Sequence, residues 1–196
     1  ALWRVDPVGA TPGALRAVTV MRMAPRKRTL PLVRVLAAAA NALPPHVRLT
    51  ATLVGDGPER AGAQRWVSER GLGDAITFAG RLDRAGILDV FAACDVYLQP
   101  SVRESFGLAA LEARTAGLPV VARSQTGTGQ FVRDGVEGLL ADDDGGLARA
   151  VVRLGSDRAL LDRIAEHNRT TEPAQSWRHV LRTVEDTYTR AGTLAT

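Results

Sequence analysis

The sequence has little cysteine, histidine or aromatic residue, and each shortage excludes a kind of site. The one cysteine, Cys94, cannot form an internal disulfide, and its apolar surroundings in VFAACDVYL predict an inert core thiol. The three histidines are scattered over predicted helix ends and loops, so we predict no metal site; they are His46, His167 and His179. Aromatic residues make up only 5% of the chain, which disfavours a stacking platform for single-stranded nucleic acid.

Long apolar runs and a strong charge of one sign are also missing. The richest apolar run, LPLVRVLAAAANAL, is interrupted by Arg34 and Asn41, and none approaches the roughly 20 residues that a membrane-spanning helix requires. The net charge is only +4, and the basic residues are dispersed except for RKR at 26–28. We therefore expect no nucleic-acid partner; membrane association is left open but is not indicated. No signal peptide is visible, and with a single cysteine this predicts a cytoplasmic location.

What the chain does have is a regular alternation of short apolar strands and longer helices. The predicted strands are RAVTVMRM, VRLTATLVG, AITFAG, DVYLQPS, LPVVARS and a short GLLADDD. The predicted helices cover 30–43, the DGPE turn to Gly71, 84–93, 106–117, 145–155 and 157–167. Pro44 and Pro45 are predicted to stop the first of them, and Gly117 is predicted to end the fourth in the usual C′ position. This order predicts an α/β fold with a doubly wound, Rossmann-like parallel sheet. Ligands of such sheets bind beyond the carboxyl ends of the strands, so the strand-to-helix turns at 22–30, 55–59, 80–84, 100–107 and 124–131 are the candidate site.

Both ends of the chain differ from this body. Residues 1–14 contain two prolines and several small-residue turns, which predicts a linker before a domain at 15–172. Residues 173–196 predict a separate C-terminal helix whose apolar side chains recur at helical spacing: Trp177, Val180, Leu181, Val184 and Tyr188. This helix either packs on its own domain or reaches across to a neighbouring one.

Two stretches resemble known ligand-binding motifs but are interpreted as structural. In GDGPERAG the third glycine of a dinucleotide fingerprint would fall on Arg60, so we interpret the stretch as a tight strand-to-helix turn. The Asp-x-Asp within DDD at 142–144 resembles a metal-binding motif of some sugar-transfer enzymes. It precedes the helical GGLARAVVRL, and we interpret it as turn and N-cap residues.

The loop RMAPRKR follows the first strand and concentrates positive charge there. Arg22 and Lys27 stand five positions apart, where both can face one anion, and together they suit a diphosphate. A solvated basic loop is the alternative, and the loop by itself does not decide between the two.

The stretch RESFGLAALEA carries two glutamates eight positions apart. We expect Glu104 before a helix that starts near Phe106, and Glu112 nearly two turns inside it, so that their carboxylates are on the order of 10 Å apart. This matches no pair of hydrolase carboxylates acting on one bond. It suits two hydroxyl-bearing groups at opposite ends of a diphosphate, with Gly107 allowing the ligand close to the backbone and to the helix N-terminus.

These residues together resemble the donor-binding half of a retaining family 4 glycosyltransferase with the GT-B fold. The Glu-x7-Glu pattern ESFGLAALE is the most specific match. Six further stretches follow in the family's order, and the resemblance covers about residues 16–155: VMRMAPRK, LVGDGPER, ITFAGRL, CDVYLQPS, AGLPVVA and RDGVEGLLADDD.

The resemblance implies roles for individual residues. Glu104 would contact hydroxyls of the donor sugar and Glu112 those of the ribose, while Arg22 and Lys27 would hold the diphosphate and offset the charge of the leaving group. Glu104, Arg22 and Lys27 are thus the implied catalytic residues. The turn that follows β-strand three would contact the base, and backbone N–H groups of the glutamate motif would reach the phosphate and sugar; the residues concerned are Arg81, Leu82, Phe106, Gly107 and Leu108.

Three positions depart from the family pattern. Met21 and Arg28 stand where glycines commonly flank the Arg/Lys loop, and Gln130 replaces a frequent glutamate. The first two are expected to reshape the phosphate loop, and the third puts donor-sugar contacts of its loop in doubt.

The function implied by the resemblance is transfer of a hexose-type sugar from a nucleoside diphosphate sugar to an acceptor, without metal or cofactor. The acceptor would bind an N-terminal domain that this chain lacks, so the chain alone is expected to be inactive. Two alternatives stay open: a non-catalytic module that binds nucleotide sugars, and a sugar-nucleotide epimerase of the same architecture.

Overall fold

The computed structural model describes residues 3–9, 11–175, 181–182, 184–185 and 187–188. Six strands are present in this part of the chain: β1 (Ala14–Val20), β2 (Arg48–Val54), β3 (Ile76–Gly80), β4 (Val96–Gln99), β5 (Val120–Arg123) and β6 (Gly138–Ala141). Within residues 3–175, the helices between and after them are α1 (Thr29–Ala42), α2 (Arg60–Ser68), α3 (Arg84–Ala92), α4 (Leu108–Thr115), α5 (Asp144–Ser156) and α6 (Arg158–Thr170). Two short 3-10 turns lie at Pro25–Lys27 and Gly127–Gln130.

All six strands form one parallel sheet in the order β3-β2-β1-β4-β5-β6. The predicted Rossmann-like α/β fold is confirmed. The strand order reverses between β1 and β4, because the chain builds outward from β1 on one side and then returns to β1's other side. Such a switch point leaves a crevice above the carboxyl ends of these two strands. The fold therefore brings the loops after β1 and β4 next to each other.

Two apolar layers enclose the sheet. One is built mainly from α1, α2, α5 and α6 and includes Leu32, Leu53 and Leu154; the other is built from α3 and α4 and includes Phe91 and Tyr97. A sheet covered on both faces needs strands that are apolar on both faces, and all four residues of β4 and of β5 are buried.

Most predicted element bounds agree with the structure to within a few residues. Helix α1 ends at Ala42, and Leu43 takes the extended conformation (ψ 152°) that a residue before proline favours. Gly117 follows α4 with φ 98°, the predicted left-handed stop. Helix α4 begins at Leu108, two residues later than predicted, because Gly107 has φ 91° and so lies outside the helical region. Glu112 therefore lies about one turn inside the helix.

The residues of the predicted linker pack along the body. Val8 N–H donates to the Ala92 carbonyl at 2.8 Å, and the ring of Trp3 lies 6.2 Å from that of Phe91. Of the described residues in the predicted C-terminal helix, 173–175 are not helical, whereas 181–182, 184–185 and 187–188 are; Leu181, Val184 and Tyr188 are exposed. Trp177 and Val180 lie outside the described residues, so the division into linker, domain and terminal helix stays a prediction. No helix in the described ranges is long and apolar enough to cross a bilayer.

Candidate functional site

The loops after β1 and β4 are joined by a short ion pair at the switch point. Lys27 Nζ lies 2.5 Å from Glu104 Oε2, and the two side chains are only 20% and 13% exposed. Lys27 ends a 3-10 turn, and Glu104 lies in the irregular segment before α4, so neither position is fixed by a regular element. The structure thus brings together one predicted phosphate ligand and one predicted sugar ligand.

The same Glu104 oxygen accepts a second hydrogen bond, from a buried glutamine in β4. Gln99 Nε2 lies 2.9 Å from Glu104 Oε2, and Tyr97 Oη lies 3.1 Å from Gln99 Oε1. Because an amide oxygen only accepts, Tyr97 donates to it, and the amide nitrogen is then turned toward Glu104. Both bonds that the described residues make to this carboxylate use Oε2, and Oε1 accepts none from them.

No role was assigned to Gln99 from the sequence, although a signal existed: it is the one polar amide in a strand whose other residues are apolar or aromatic. Its side chain is 4% exposed, and a buried polar side chain needs a hydrogen-bond partner.

The N-terminus of α4 is open toward this site. Leu108, its first residue, is 67% exposed, and Gly107 at the N-cap position provides no side-chain hydrogen bond to the first N–H groups of the helix. The loop after β5 contacts the segment before α4, since Gly127 N–H donates to the Glu104 carbonyl at 2.8 Å. Phe106 is held by Phe131, with ring centroids 5.5 Å apart. The predicted backbone donors at 106–108 are thus held in a fixed position next to Glu104.

A cleft of about 700 Å³ lies beside the pair, over the ends of β1, β2 and β3. It is lined by three predicted site residues, Arg22, Arg81 and Leu82, and by residues 55–57 of the candidate turn 55–59, to which no individual role was assigned.

The two glycines of this cleft confirm the tight-turn interpretation of GDGPERAG. A Cβ atom on Gly55 would lie 1.9 Å from the Met21 carbonyl oxygen, and one on Gly57 would lie 2.4 Å from that of Met23. The two loop backbones therefore approach so closely that only glycine fits.

Glu112 lies apart from these two groups. It is half-buried in α4 and does not line the cleft, and within the described part of the chain its carboxylate accepts no hydrogen bond. Burial raises the pKa of this carboxyl group, while the positive charge of Arg84 acts in the opposite direction. A carboxylate of this kind gains from hydroxyl donors that a ligand brings.

The three departures from the family pattern have different surroundings. Met21 is buried in the core and also borders the cleft, so its predicted effect on the phosphate loop stays a prediction. Arg28 takes a left-handed backbone conformation, φ 63° and ψ 46°, which explains why a glycine suits this position. Gln130 is exposed, and its carbonyl accepts from Gln175 Nε2 at 3.3 Å.

Both other sequence interpretations outside the site are confirmed. Asp143 caps α5 by accepting from Gly146 N–H at 2.6 Å, so part of DDD is an N-cap. Cys94 is buried in the core as predicted, and burial raises the pKa of its thiol to about 12, which favours the protonated thiol over the nucleophilic thiolate. Within the described ranges no group of three or more His, Cys, Asp or Glu residues could hold a metal ion.

A six-stranded sheet with a 3-2-1-4-5-6 order and a charged site at its switch point defines a Rossmann-like ligand-binding domain. Residues 9–171 match the family model described as glycosyl transferases group 1. The chain belongs to this family.

Relatives and solved structures agree with that assignment. The chain is 39% identical over 170 residues to a D-inositol 3-phosphate glycosyltransferase of Stackebrandtia nassauensis. The alignment covers 81% of this chain and 38% of the relative. It is similar to the structure of Anabaena Alr3699/HepE in complex with UDP and glucose, with 27% identity, a TM-score of 0.72, and coverage of 90% of this chain and 48% of that one.

A third likeness concerns a single domain. The C-terminal domain of the group 1 glycosyl transferase LpcC from Francisella tularensis matches with 25% identity and a TM-score of 0.67, over 78% of this chain and 82% of that one. The sheet is therefore of the type found in GT-B glycosyltransferases. The chain spans less than half the length of the Stackebrandtia and Anabaena proteins.

Proposed function

We propose that this chain is the donor-binding half of a retaining glycosyltransferase that transfers a hexose-type sugar from a nucleoside diphosphate sugar. The observation that carries the proposal is the Lys27–Glu104 pair, 2.5 Å across the switch point, next to a cleft that contains Arg22 and Arg81. Membership of the glycosyl transferases group 1 family supports it. UDP is the first nucleotide to test, because the similar Anabaena structure holds UDP and glucose.

The two charged loops suit the two parts of such a donor. Lys27 has three N–H donors and uses one on Glu104, which leaves two for phosphate oxygens. Arg22 is exposed on the same loop and adds a planar fork. These two cations offset the charge that develops on the leaving diphosphate, and we assign the neutralising role to them without a divalent metal or cofactor.

Glu104 would hold the sugar. Its Oε2 is occupied by Lys27 and Gln99, while Oε1 accepts from a sugar hydroxyl. Glu112 would accept from the ribose hydroxyls, and the exposed N-terminus of α4 would face the phosphates. In a retaining transfer the leaving phosphate helps to deprotonate the acceptor. The acceptor would bind to a separate N-terminal domain, so this chain by itself should bind nucleotide and transfer nothing.

Calorimetric titration with UDP, GDP and ADP tests the donor site on this chain directly. We expect one of the three to bind, and Glu112→Ala to weaken that nucleotide about tenfold, because one charge-assisted hydrogen bond contributes on the order of 1.5 kcal/mol. Glu69→Gln, an exposed carboxylate that pairs only with Arg70 in the described structure, is the matched control.

Two results would contradict parts of this proposal. Binding that is insensitive to Glu112→Ala would remove the ribose role, and no binding of any nucleotide would remove the donor site. Turnover by the full-length protein, with its loss in Glu104→Ala, would exclude a non-catalytic module. Conversion of the sugar nucleotide without an added acceptor would instead favour an epimerase.

A further inference from the structure

Arg28 has an unusual backbone for an arginine. With φ 63° it is the one non-glycine residue in the described ranges that has a positive φ, a region that L side chains with a Cβ atom disfavour. It follows Lys27 directly and is the N-cap residue of α1, where its carbonyl accepts from Leu32 N–H at 2.9 Å. Something must therefore hold this residue in place, and the position of Lys27 depends on it.

The Arg28 side chain is held by an aspartate from the far side of the site. Arg28 Nη2 lies 2.6 Å from Asp144 Oδ2. The other oxygen of Asp144 accepts from Arg123, at the end of β5, and the buried Arg123 also donates to the Asp142 carbonyl. We name Arg28, Arg123 and Asp144 the Asp144 cluster.

The Asp144 cluster connects three elements that the site needs. Asp144 is the first residue of α5, which packs directly on α1, and Arg123 ends β5 at the same edge of the sheet. The 3-10 turn in the loop after β1 has no side-chain cap of its own; beyond the cluster, Glu59 Oε2 accepts from Thr29 N–H at 3.1 Å, and Met23 N–H donates to the Asp56 carbonyl at 2.9 Å. The cluster thus fastens the residue after Lys27 to the rigid end of β5 and α5.

We propose that Arg28 and Asp144 are positioning residues that hold Lys27 against Glu104, ready for the diphosphate. This inference rests on the proposed donor site for its purpose but not for its geometry. It explains why the third residue of the sequence RKR is an arginine where the backbone favours glycine. The ion pair to Asp144 offsets an unfavourable conformation and orders the loop.

A simple charge effect predicts a different result, which makes the inference testable. If Arg28 and Asp144 act only through their charges, removing one must have the opposite effect on Lys27 and on an anionic ligand from removing the other. If they act by holding the loop, Arg28→Gly and Asp144→Asn must change both properties in the same direction.

Lys27 is the only lysine of the chain, so amine labelling reports on it alone apart from the N-terminus. We would measure its rate of reductive methylation by peptide mass spectrometry under native conditions. Glu104→Gln, which removes the partner of Lys27, is the positive control. Asp162→Asn, which breaks an exposed ion pair with Arg158 on α6, is the matched negative control.

We expect Arg28→Gly and Asp144→Asn each to accelerate labelling about fivefold, and the double variant to be no faster than either. Arg28→Asn, which tolerates the left-handed backbone, should behave like Arg28→Gly. Slower labelling in Arg28→Gly, or an unchanged rate in Asp144→Asn, would overturn the inference. Thermal unfolding of every variant separates a local effect from loss of the fold.

Titration with UDP completes the test. Asp144→Asn should weaken UDP about fivefold, although the variant gains net positive charge; tighter binding would overturn the inference and leave the donor site intact. If the labelling result is as expected but the wild-type chain binds no nucleotide, the proposed function fails and the Asp144 cluster remains a contact that orders the loop.

Discussion

Two carboxylates at opposite ends of the sheet, those of Glu104 and Glu137, have different surroundings, and we compare them as a ligand-binding group and a stabilising group. Glu104 lies at the carboxyl end of β4, and Glu137 lies just before β6, at the amino end. Both are largely buried and paired with basic side chains. They differ in how completely the protein satisfies them.

The carboxylate of Glu137 interacts with three basic residues. Arg133 donates through its side chain and its backbone N–H, at 2.5 and 2.8 Å, and His167 Nε2 lies 3.1 Å away. The buried Arg114 lies 3.6 Å from it. Burial alone would raise the pKa of Glu137, but the hydrogen bonds from Arg133 and His167 and the charge of Arg133 lower it to about 2.

Glu104, in contrast, is satisfied on one oxygen only. Lys27 and Gln99 both donate to Oε2, and no described residue donates to Oε1. A carboxylate saturated by the protein stabilises the fold and has nothing to offer a ligand, whereas a half-saturated one at a switch point is ready for a hydroxyl group. The comparison predicts that the first controls unfolding and the second controls turnover.

The largest effect on stability should come from Glu137→Ala. We expect a loss of about 3–5 kcal/mol in the free energy of unfolding, because the buried Arg114 is left without its counter-charge. Chemical denaturation measures this, and Asp162→Asn, in an exposed ion pair, should cost less than about 1 kcal/mol.

The contribution of Glu137 should also depend on pH with a defined sign. Its pKa is lowered from 4.5 to about 2 on folding, so its stabilisation is present above pH 4.5 and is lost as the pH falls toward 2. The stability difference between wild type and Glu137→Gln must therefore shrink on acidification. A difference that grows toward low pH would contradict the assignment.

The next effect concerns turnover of the full-length protein. Glu104→Gln keeps the shape of the side chain but removes the charge that pairs with Lys27, and we expect transfer to fall about 100-fold or more while the melting temperature changes little. Initial rates with a UDP sugar measure it, with Glu69→Gln as the control. Loss of stability without loss of turnover would reverse the comparison between the two carboxylates.

The smallest predicted effect is that of Gln99→Leu, which removes a hydrogen bond to Glu104 and changes the ligand site only through that carboxylate. Tyr97 keeps the Val20 carbonyl as an acceptor at 3.2 Å, so no hydroxyl is orphaned and stability should be maintained. Loss of one hydrogen bond to a carboxylate should raise the KM for the donor about tenfold, with a smaller change in kcat. Gln64→Leu, on the exposed face of α2, should leave both unchanged. Equal effects of the two substitutions would remove the positioning role of Gln99.

Much of the fold was predictable because the signals are local. Neighbouring residues alone predicted the alternation of strands and helices, the stop at Pro44–Pro45 after α1 and the glycine that ends α4. The structure confirms all three. The start of α4 was predicted two residues too early, because the apolar pattern continues through Phe106 and does not reveal the left-handed conformation of Gly107.

The site was only partly predictable, since its contacts link residues far apart in the chain. Lys27 and Glu104 were both named from their motifs, but their contact spans 77 positions, and that between Arg28 and Asp144 spans 116. Gln99 looked like an ordinary strand residue until its side chain was seen beside Glu104.

By itself the sequence determined the α/β class, the turns that carry the site and the residue types in them, because periodicity and turn chemistry depend on near neighbours. The tertiary structure alone decided which of those residues meet. Strand order places β1 beside β4, and so it brings Lys27 to Glu104 while Glu137 is enclosed at the other end of the sheet. Pairing across a sheet is set by packing over the whole chain, and no local pattern records it.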